Sequence, residues 1–461
     1  MENKTENSLL KKDGVSYLVP FILITSCFAL WGFANDITNP MVEAFSRIFR
    51  MSVTEGTLVQ VAFYGGYFCM AFPAAMFIKK RSYKAGILMG LGLYAVGALM
   101  FFPAKMSGTF YPFLLAYFIL TCGLSFLETS ANPFILSMGC EENATRRLNM
   151  AQSFNPLGSI SGMFVAMFVI QANLDPMTSS ERANLTKDAF EALKEQDLSV
   201  LIGPYLFIAA VIAAVFLVLW FTKIPYTQTK VDDGNDGVVA SLSRLIKNKR
   251  YVWSVVAQFF YVGVQIMCWT FIIQYGKYHL IQNGIPDFIT NLSRNFGLGI
   301  VTGSIEKDAA TVAQFYNICA MASFIIFRFV CTYLMKYFTP AKMLLIFGSI
   351  AFVLVCGVIG ITNGYGLYCL ILVSSCMSLM FPTIYGIGLK DIGRDAEYGA
   401  AGLIMSILGG SVLPPLQAAI MDAGGSEQML FGMPSVNVSF IVPLICFLVI
   451  IVYSAKMMKE D

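Results

Sequence analysis

Twelve long apolar stretches recur along this chain, and no single motif constrains its fold as much. They run at 17–39, 57–78, 84–104, 110–138, 147–171, 203–223, 251–279, 309–333, 341–361, 364–390, 397–421 and 436–456. About 20 apolar residues in a helix cross the hydrocarbon of a bilayer, because a helix satisfies its own backbone groups where no water can. Composition agrees. The chain is 57% hydrophobic and 13% charged, against about 25% charged in a soluble domain. The reading is an all-α membrane protein of twelve transmembrane helices, embedded in a lipid bilayer. The fifth stretch is rich in Gly, Ser and Asn, and Pro414 and Pro415 interrupt the eleventh. Such residues are tolerated where neighbouring helices satisfy the freed groups.

Orientation follows from lysine and arginine, which favour cytoplasmic loops. One face takes Lys4, Lys11, Lys12, the loop 79–84, Arg146, Arg147, residues 223–250, Lys336, Lys342, Lys390, Arg394 and the C-terminal lysines. With Arg328 near the cytoplasmic end of the eighth stretch, placed to snorkel or to pair with a gating carboxylate, that face holds 22 of the 31 basic residues. The other holds nine, although it carries the long loops 172–202 and 280–308. Both termini are therefore expected in the cytoplasm, in the inner membrane of a bacterium. The segment 224–250 is polar ("YTQTKVDDGNDG") and then basic ("SRLIKNKR"), with six stretches before it and six after. The expected domains are a bundle at 1–223, a cytoplasmic linker at 224–250 and a second bundle at 251–461. A faint repeat supports two halves. "QVAFYGGYF" (60–68) and "QFYNICAMA" (314–322) fall in the second and eighth stretches, "LSFLETSANP" (124–133) and "MSLMFPTIYG" (377–386) in the fourth and tenth. Two parallel six-helix halves with a site between them describe a major facilitator transporter.

Several function classes recede on the same evidence. A net charge of +3, spread over short loops, points to no nucleic-acid partner. The eleven cysteines show no CxxC spacing, so neither a disulfide framework nor a zinc site is expected. His279 is the only histidine and lies near a helix end, so neither a His-based metal cluster nor a Ser–His–Asp triad within one segment is expected. No metal, no enzyme activity and no cofactor are expected. The polar start precedes a stretch too long for a signal-peptide core, so no cleaved signal is read.

The informative residues are polar ones inside apolar stretches. In "WGFANDITNP" (31–40), Asp36 and Asn39 are three apart and share a helix face, while Trp31, Asn35 and Asn39 form a partly polar stripe. A helix end capped by polar side chains at the outer surface is the plainer reading. Glu128 is sharper, since it lies far from any basic residue in sequence. An unpaired carboxylate in hydrocarbon is costly unless protonated. It is either a proton-relay group lining an aqueous cavity or a protonated acid bonding a neighbouring helix. In "RRLNMAQSFNPLG" (146–158), Asn149, Gln152 and Asn155 recur at i, i+3. Carboxamides both donate and accept, which suits sugar hydroxyls; they also serve as interhelical glue. "AQFFYVGVQIMCW" (257–269) holds Gln258, Tyr261, Gln265 and Trp269 at spacings of mostly three or four. Aromatic rings stack on the apolar face of a pyranose while amides bond its edge; aromatic residues of a membrane belt are the alternative.

At these residues the chain resembles the fucose permease branch of the major facilitator superfamily, the fucose–proton symporters. The resemblance runs along nearly the whole length. It is densest at "LETSANPF" (127–134), "RRLNMAQSFN" (146–155), "SYKAG" (82–86), "LSRL" (242–245), "AQFFYVGVQIMCW" (257–269) and "FPTIYGIGLKDIG" (381–393). It implies two pseudo-symmetric six-helix bundles, alternating access, and uptake of L-fucose or a related hexose driven by protons. By this likeness Glu128 matches the family's essential glutamate, Gln152 and Asn155 its sugar-facing pair, and Trp31 an aromatic of the first span. Three departures stand out. The usual asparagine and, one turn on, aspartate of the first span are exchanged, as Asp36 and Asn39. The usual tyrosine before the proline of the tenth span is Phe381. The superfamily's Asp-Arg pair after the second span is also absent. The expected proton-coupling residues are Glu128 and Asp36. The expected sugar-binding residues are Trp31, Asn35, Asn39, Gln152, Asn155, Gln258, Gln265, Trp269 and Phe381. The ligand is a small-molecule sugar, the coupling ion a proton, and the working unit a monomer. An uncoupled or sodium-coupled glucose/galactose transporter is the alternative on the same fold. A drug–proton antiporter would favour an aromatic cavity with few amides. A membrane enzyme would need clustered His, Asp or Cys, and a sugar-sensing receptor would need an appended signalling domain.

Overall fold

The computed structural model describes residues 9–12, 15–38, 41–51, 58–170, 173–175, 177, 181–182, 184–222, 238–296, 305–424 and 429–459. Residues 224–237 of the expected linker, Asn39, and parts of the two long loops lie outside them. Among the described residues, 11 helices are long and apolar enough to cross a membrane. They coincide with every expected span except the fifth.

In the first half, α1 is Leu18–Thr38, α2 Leu58–Lys80, α3 Tyr83–Leu99 and α4 Tyr111–Ser137. The fifth span, expected as one piece over 147–171, is instead α5 (Ala144–Gln152), a turn at Ser153–Phe154, α6 (Asn155–Phe164) and a wider turn at Val165–Ile170. Pro156 explains the break. It has no amide hydrogen for the carbonyl of Gln152, and it suits the first turn of a new helix. α7 (Lys187–Phe221) is 35 residues long, about 50 Å at the helical rise. It begins well inside what reads as a loop at 172–202. Its polar first turns are tied down by a buried ion pair, Arg182 to Asp197 at 2.6 Å. Arg182 also donates to the Met177 carbonyl at 3.0 Å, and the amide of Asp175 donates to Asp197 at 3.0 Å.

In the second half, α8 is Lys249–Asn283, α9 Ile305–Leu334 and α10 Pro340–Gly360. The tenth span is broken into α11 (Gly366–Met377) and α12 (Met380–Leu389). The eleventh is α13 (Ala396–Met405), a 3-10 turn at Ser406–Leu408, and α14 (Gly409–Asp422). The last span is α15 (Ile441–Met457). Among the described residues, strand is confined to two short pairs, Lys11–Lys12 with Val15–Ser16 and Met429–Leu430 with Met433–Pro434.

The chain divides into two compact units. Met1–Lys247 with Leu389–Met405 form one, Asn248–Gly388 with Ser406–Asp461 the other. The segment 389–405 therefore packs with the first unit, where α13 lies on α2 and α4. Asp395 takes a two-pronged bond from Arg244, at 2.7 and 2.8 Å. Tyr83 donates to Glu397 at 3.1 Å, and Tyr398 stacks on Phe72 with Lys79 over its ring.

Close helix crossings recur in both units. In the first, α6 meets α1 so tightly that a methyl group added at Gly158 would land on the carbonyl of Ala29. In the second, one added at Gly409 would land on the carbonyl of Phe259 on α8. Lipid supplies no hydrophobic drive between helices, so small residues and close packing hold them together. α4 and the tenth span are the most enclosed, 78% and 72% buried, whereas α10 is 33% buried and largely lipid-facing.

The crossing yields a paired test. Gly158→Ala forces α1 and α6 apart and destabilises the protein by about 1–3 kcal/mol, read as a lower melting temperature in detergent. Gly203→Ala meets nothing within 4 Å and gains up to about 1 kcal/mol of helix propensity. Equal melting temperatures for the two variants would contradict the crossing.

Candidate functional site

Glu128 sits near the middle of α4 and is 4% exposed. Its Oε1 accepts a hydrogen bond from the Tyr67 hydroxyl on α2 at 2.9 Å. Its Oε2 is buried with no hydrogen-bond partner, and among the described residues no cation pairs with it. Around it the amides are joined. Asn132 donates to the Glu128 carbonyl at 3.1 Å, and Gln152 donates to the Asn132 side-chain oxygen at 2.9 Å. Pro133 leaves the carbonyl of Thr129 without its helical donor, so the wall of α4 is polar here on both backbone and side chain.

Asp36, near the end of α1, is 8% exposed. The Ser159 hydroxyl of α6 lies between its carboxylate and the Gly32 carbonyl. Trp31 is buried one turn earlier, its ring 4.4 Å from that of Phe28. Asn35 is half-buried. Asn155 is half-buried and donates to the Phe28 carbonyl at 3.2 Å, which ties α6 to α1. The first unit thus holds two separate groups: Glu128, Asn132 and Gln152 joined in one chain of bonds, and Asp36 with Ser159, beside Asn155, where α6 crosses α1 at Gly158.

The second unit has a different character. Gln258 on α8 is fully buried, and neither its amide nitrogen nor its oxygen has a partner. Trp269 donates to the Ser374 hydroxyl at 3.0 Å and stands edge-on to Phe324 at 5.1 Å. That places its indole against α9 and α11, whereas a belt tryptophan turns its N–H to the headgroups. Gln265 is half-buried. Phe381 is half-buried, stacked on Tyr385 at 6.2 Å and tilted to Tyr261 at 6.3 Å.

Arg328 does not snorkel. It is 3% exposed, and its Nε donates to the carbonyl of Ser378. The reason lies in the chain: Pro382 has no hydrogen to give that carbonyl. Tyr261 donates to the neighbouring Met377 carbonyl at 3.0 Å. Two side chains therefore close the gap between α11 and α12. Tyr67 and Asn317, whose buried side-chain oxygen has no partner, also escape the sequence reading. A mid-span tyrosine needs a partner for its hydroxyl, and that is the signal that marks Tyr67.

Known proteins agree with this architecture. The sequence pattern of the Major Facilitator Superfamily matches residues 24–414. The L-fucose-proton symporter of Haemophilus influenzae is 47% identical over 448 residues, covering 96% of this chain and 97% of its own. The glucose/galactose transporter of Brucella abortus is 27% identical over 453 residues, covering 97% and 95%. Among solved structures, the E. coli fucose:proton symporter superposes with a TM-score of 0.81 at 32% identity, covering 96% of this chain and 99% of that one.

Gln258 gives a direct test of the geometry. A buried amide without partners costs about 1–3 kcal/mol, so Gln258→Leu raises the melting temperature in detergent. A fall would show that the amide is satisfied after all.

Proposed function

The chain belongs to the major facilitator superfamily, and on that premise we propose that it takes up L-fucose together with a proton by alternating access. It is a multi-pass membrane transporter rather than an enzyme; the sugar crosses chemically unchanged. The relatives' named activity supports the substrate. One observation carries the coupling: the unpartnered, buried Oε2 of Glu128. As an ion that oxygen has nothing to solvate it, and as an acid it carries a hydroxyl able to donate to a sugar. Glu128 takes a proton from outside before or with the sugar, assisted by Asp36. After the site opens inward, sugar leaves, water returns and the proton departs. Trp31, Asn35, Asn39, Gln152 and Asn155 hold sugar hydroxyls from the first unit. Gln258, Gln265, Trp269 and Phe381 offer amide edges and ring faces from the second. The protein works as a monomer in the bacterial inner membrane with both termini in the cytoplasm.

The transport test uses proteoliposomes with labelled L-fucose, galactose and glucose, with and without an inward proton gradient. One pH unit supplies about 1.4 kcal/mol, enough for about tenfold accumulation at one proton per sugar. The parent protein accumulates L-fucose most strongly. Glu128→Gln equilibrates the sugar without accumulating it, Asp36→Asn weakens accumulation, and Asn39→Asp, which loses an amide donor to the sugar, lowers L-fucose affinity while accumulation still follows the proton gradient. Accumulation that survives Glu128→Gln and Asp36→Asn together would refute the carboxylate mechanism. Preference for galactose or glucose would move the substrate to the Brucella type.

Orientation has its own test. A fluorescent protein fused after Asp461 fluoresces and an alkaline phosphatase fused there stays inactive; the opposite pattern would reverse the topology.

A further inference from the structure

We propose that Tyr67 is a positioning residue for the proton: it occupies Oε1 of Glu128 and so assigns proton uptake, and the bond to sugar, to Oε2. This rests on the proton-coupled uptake described above. Three features of the structure converge on it. The Tyr67 hydroxyl, itself buried, donates to Oε1 at 2.9 Å. The other oxygen is buried and has no partner. The tyrosine is also held from behind, because the Ser125 hydroxyl of α4 donates to the Tyr67 carbonyl at 3.1 Å. At the residue before it, Gly66, α2 and α4 approach so closely that a methyl group would collide with Thr121. Two bonds in opposite directions thus fix Tyr67 relative to the acid one turn away on α4.

The chemistry follows from donor and acceptor roles. A phenol can donate to Oε1 whether the acid is charged or neutral, because the carbonyl oxygen of a protonated carboxyl group still accepts. Tyr67 therefore keeps its bond through the cycle, and the proton comes and goes at the other oxygen. The bond is stronger to the charged form, which eases proton release once sugar has left. Of the other titratable groups on the packed helices, Tyr64 and Tyr94 also stand within electrostatic reach of Tyr67, and each group has a further partner. Tyr94 on α3 donates to the Leu30 carbonyl at 3.0 Å. Tyr64 on α2 stands within electrostatic reach of Asp36 on α1. On α5, Arg147 gives its guanidinium to the carbonyls of Ile135 and Leu136. On α13, Glu397 takes the Tyr83 hydroxyl.

The test is L-fucose binding to the purified full chain, by calorimetry, from acid to alkaline pH, for the parent, Tyr67→Phe, Glu128→Gln and the double variant. The parent loses affinity toward alkaline pH as Glu128 gives up its proton. Tyr67→Phe removes a donor that favours the charged form, so this alkaline limb moves up by about one pH unit, tenfold in proton affinity. Affinity at acid pH stays near the parent's. In the Glu128→Gln background, Tyr67→Phe shifts no pH profile. Should Tyr67→Phe fail to fold, Ser125→Ala loosens the same tyrosine and moves the limb the same way by less. An unmoved limb, with affinity reduced equally at every pH, would make Tyr67 merely structural and overturn the inference alone. A parent whose L-fucose binding ignores pH would overturn the coupling reading and this inference with it.

Discussion

Hydrocarbon offers no hydrogen bonds, and nearly every local feature of this protein answers that constraint. A proline within a span strips one carbonyl of its donor, and something else must supply one. At Pro382 the replacement is a guanidinium, Arg328 to Ser378, with Tyr261 at the adjacent carbonyl. At the start of α6, beside Pro156, Asn155 reaches across to the Phe28 carbonyl and ties the broken fifth span to α1. Not every buried group finds a partner, and one oxygen of Glu128 and both amide atoms of Gln258 are among those that do not. Such groups cost stability, and in the proposed function they are the places a proton and a sugar occupy.

The two halves share a plan and differ in chemistry. Each crosses its first span with a glycine at contact distance, Gly158 over Ala29 and Gly409 over Phe259. Each places a proline-bearing span at its most enclosed position. In the repeat that aligns 124–133 with 377–386, Glu128 falls opposite Phe381. One copy carries an acid among linked amides, the other a phenylalanine among tyrosines.

Much of this was legible in the chain because the information was local. Apolar runs of membrane length mark eleven of the spans, and polar residues within them mark Glu128, Asp36 and Gln258. The misreadings have the opposite origin. The fifth span breaks at Pro156, which the chain shows, but whether a proline kinks a span or divides it depends on the neighbours that take up the freed groups. The first turns of α7 are polar and read as loop; the Arg182–Asp197 pair that steadies them joins residues 15 apart in sequence. Arg328 looks like a snorkelling cation until its partner, 50 residues on, is known. Tyr67 and Glu128 are 61 residues apart, and no helical periodicity links them.

The segment 389–405 has a consequence for how the protein is made. It is synthesised late, yet it belongs to the first unit, secured there by Arg244 to Asp395 and Tyr83 to Glu397. Ribosomes deliver a chain from its N-terminus, so the first unit stays incomplete until nearly nine-tenths of the polypeptide has emerged. Its surface on α2 and α4 waits open through the insertion of four later spans, and maturation of the first half ends only as the eleventh arrives.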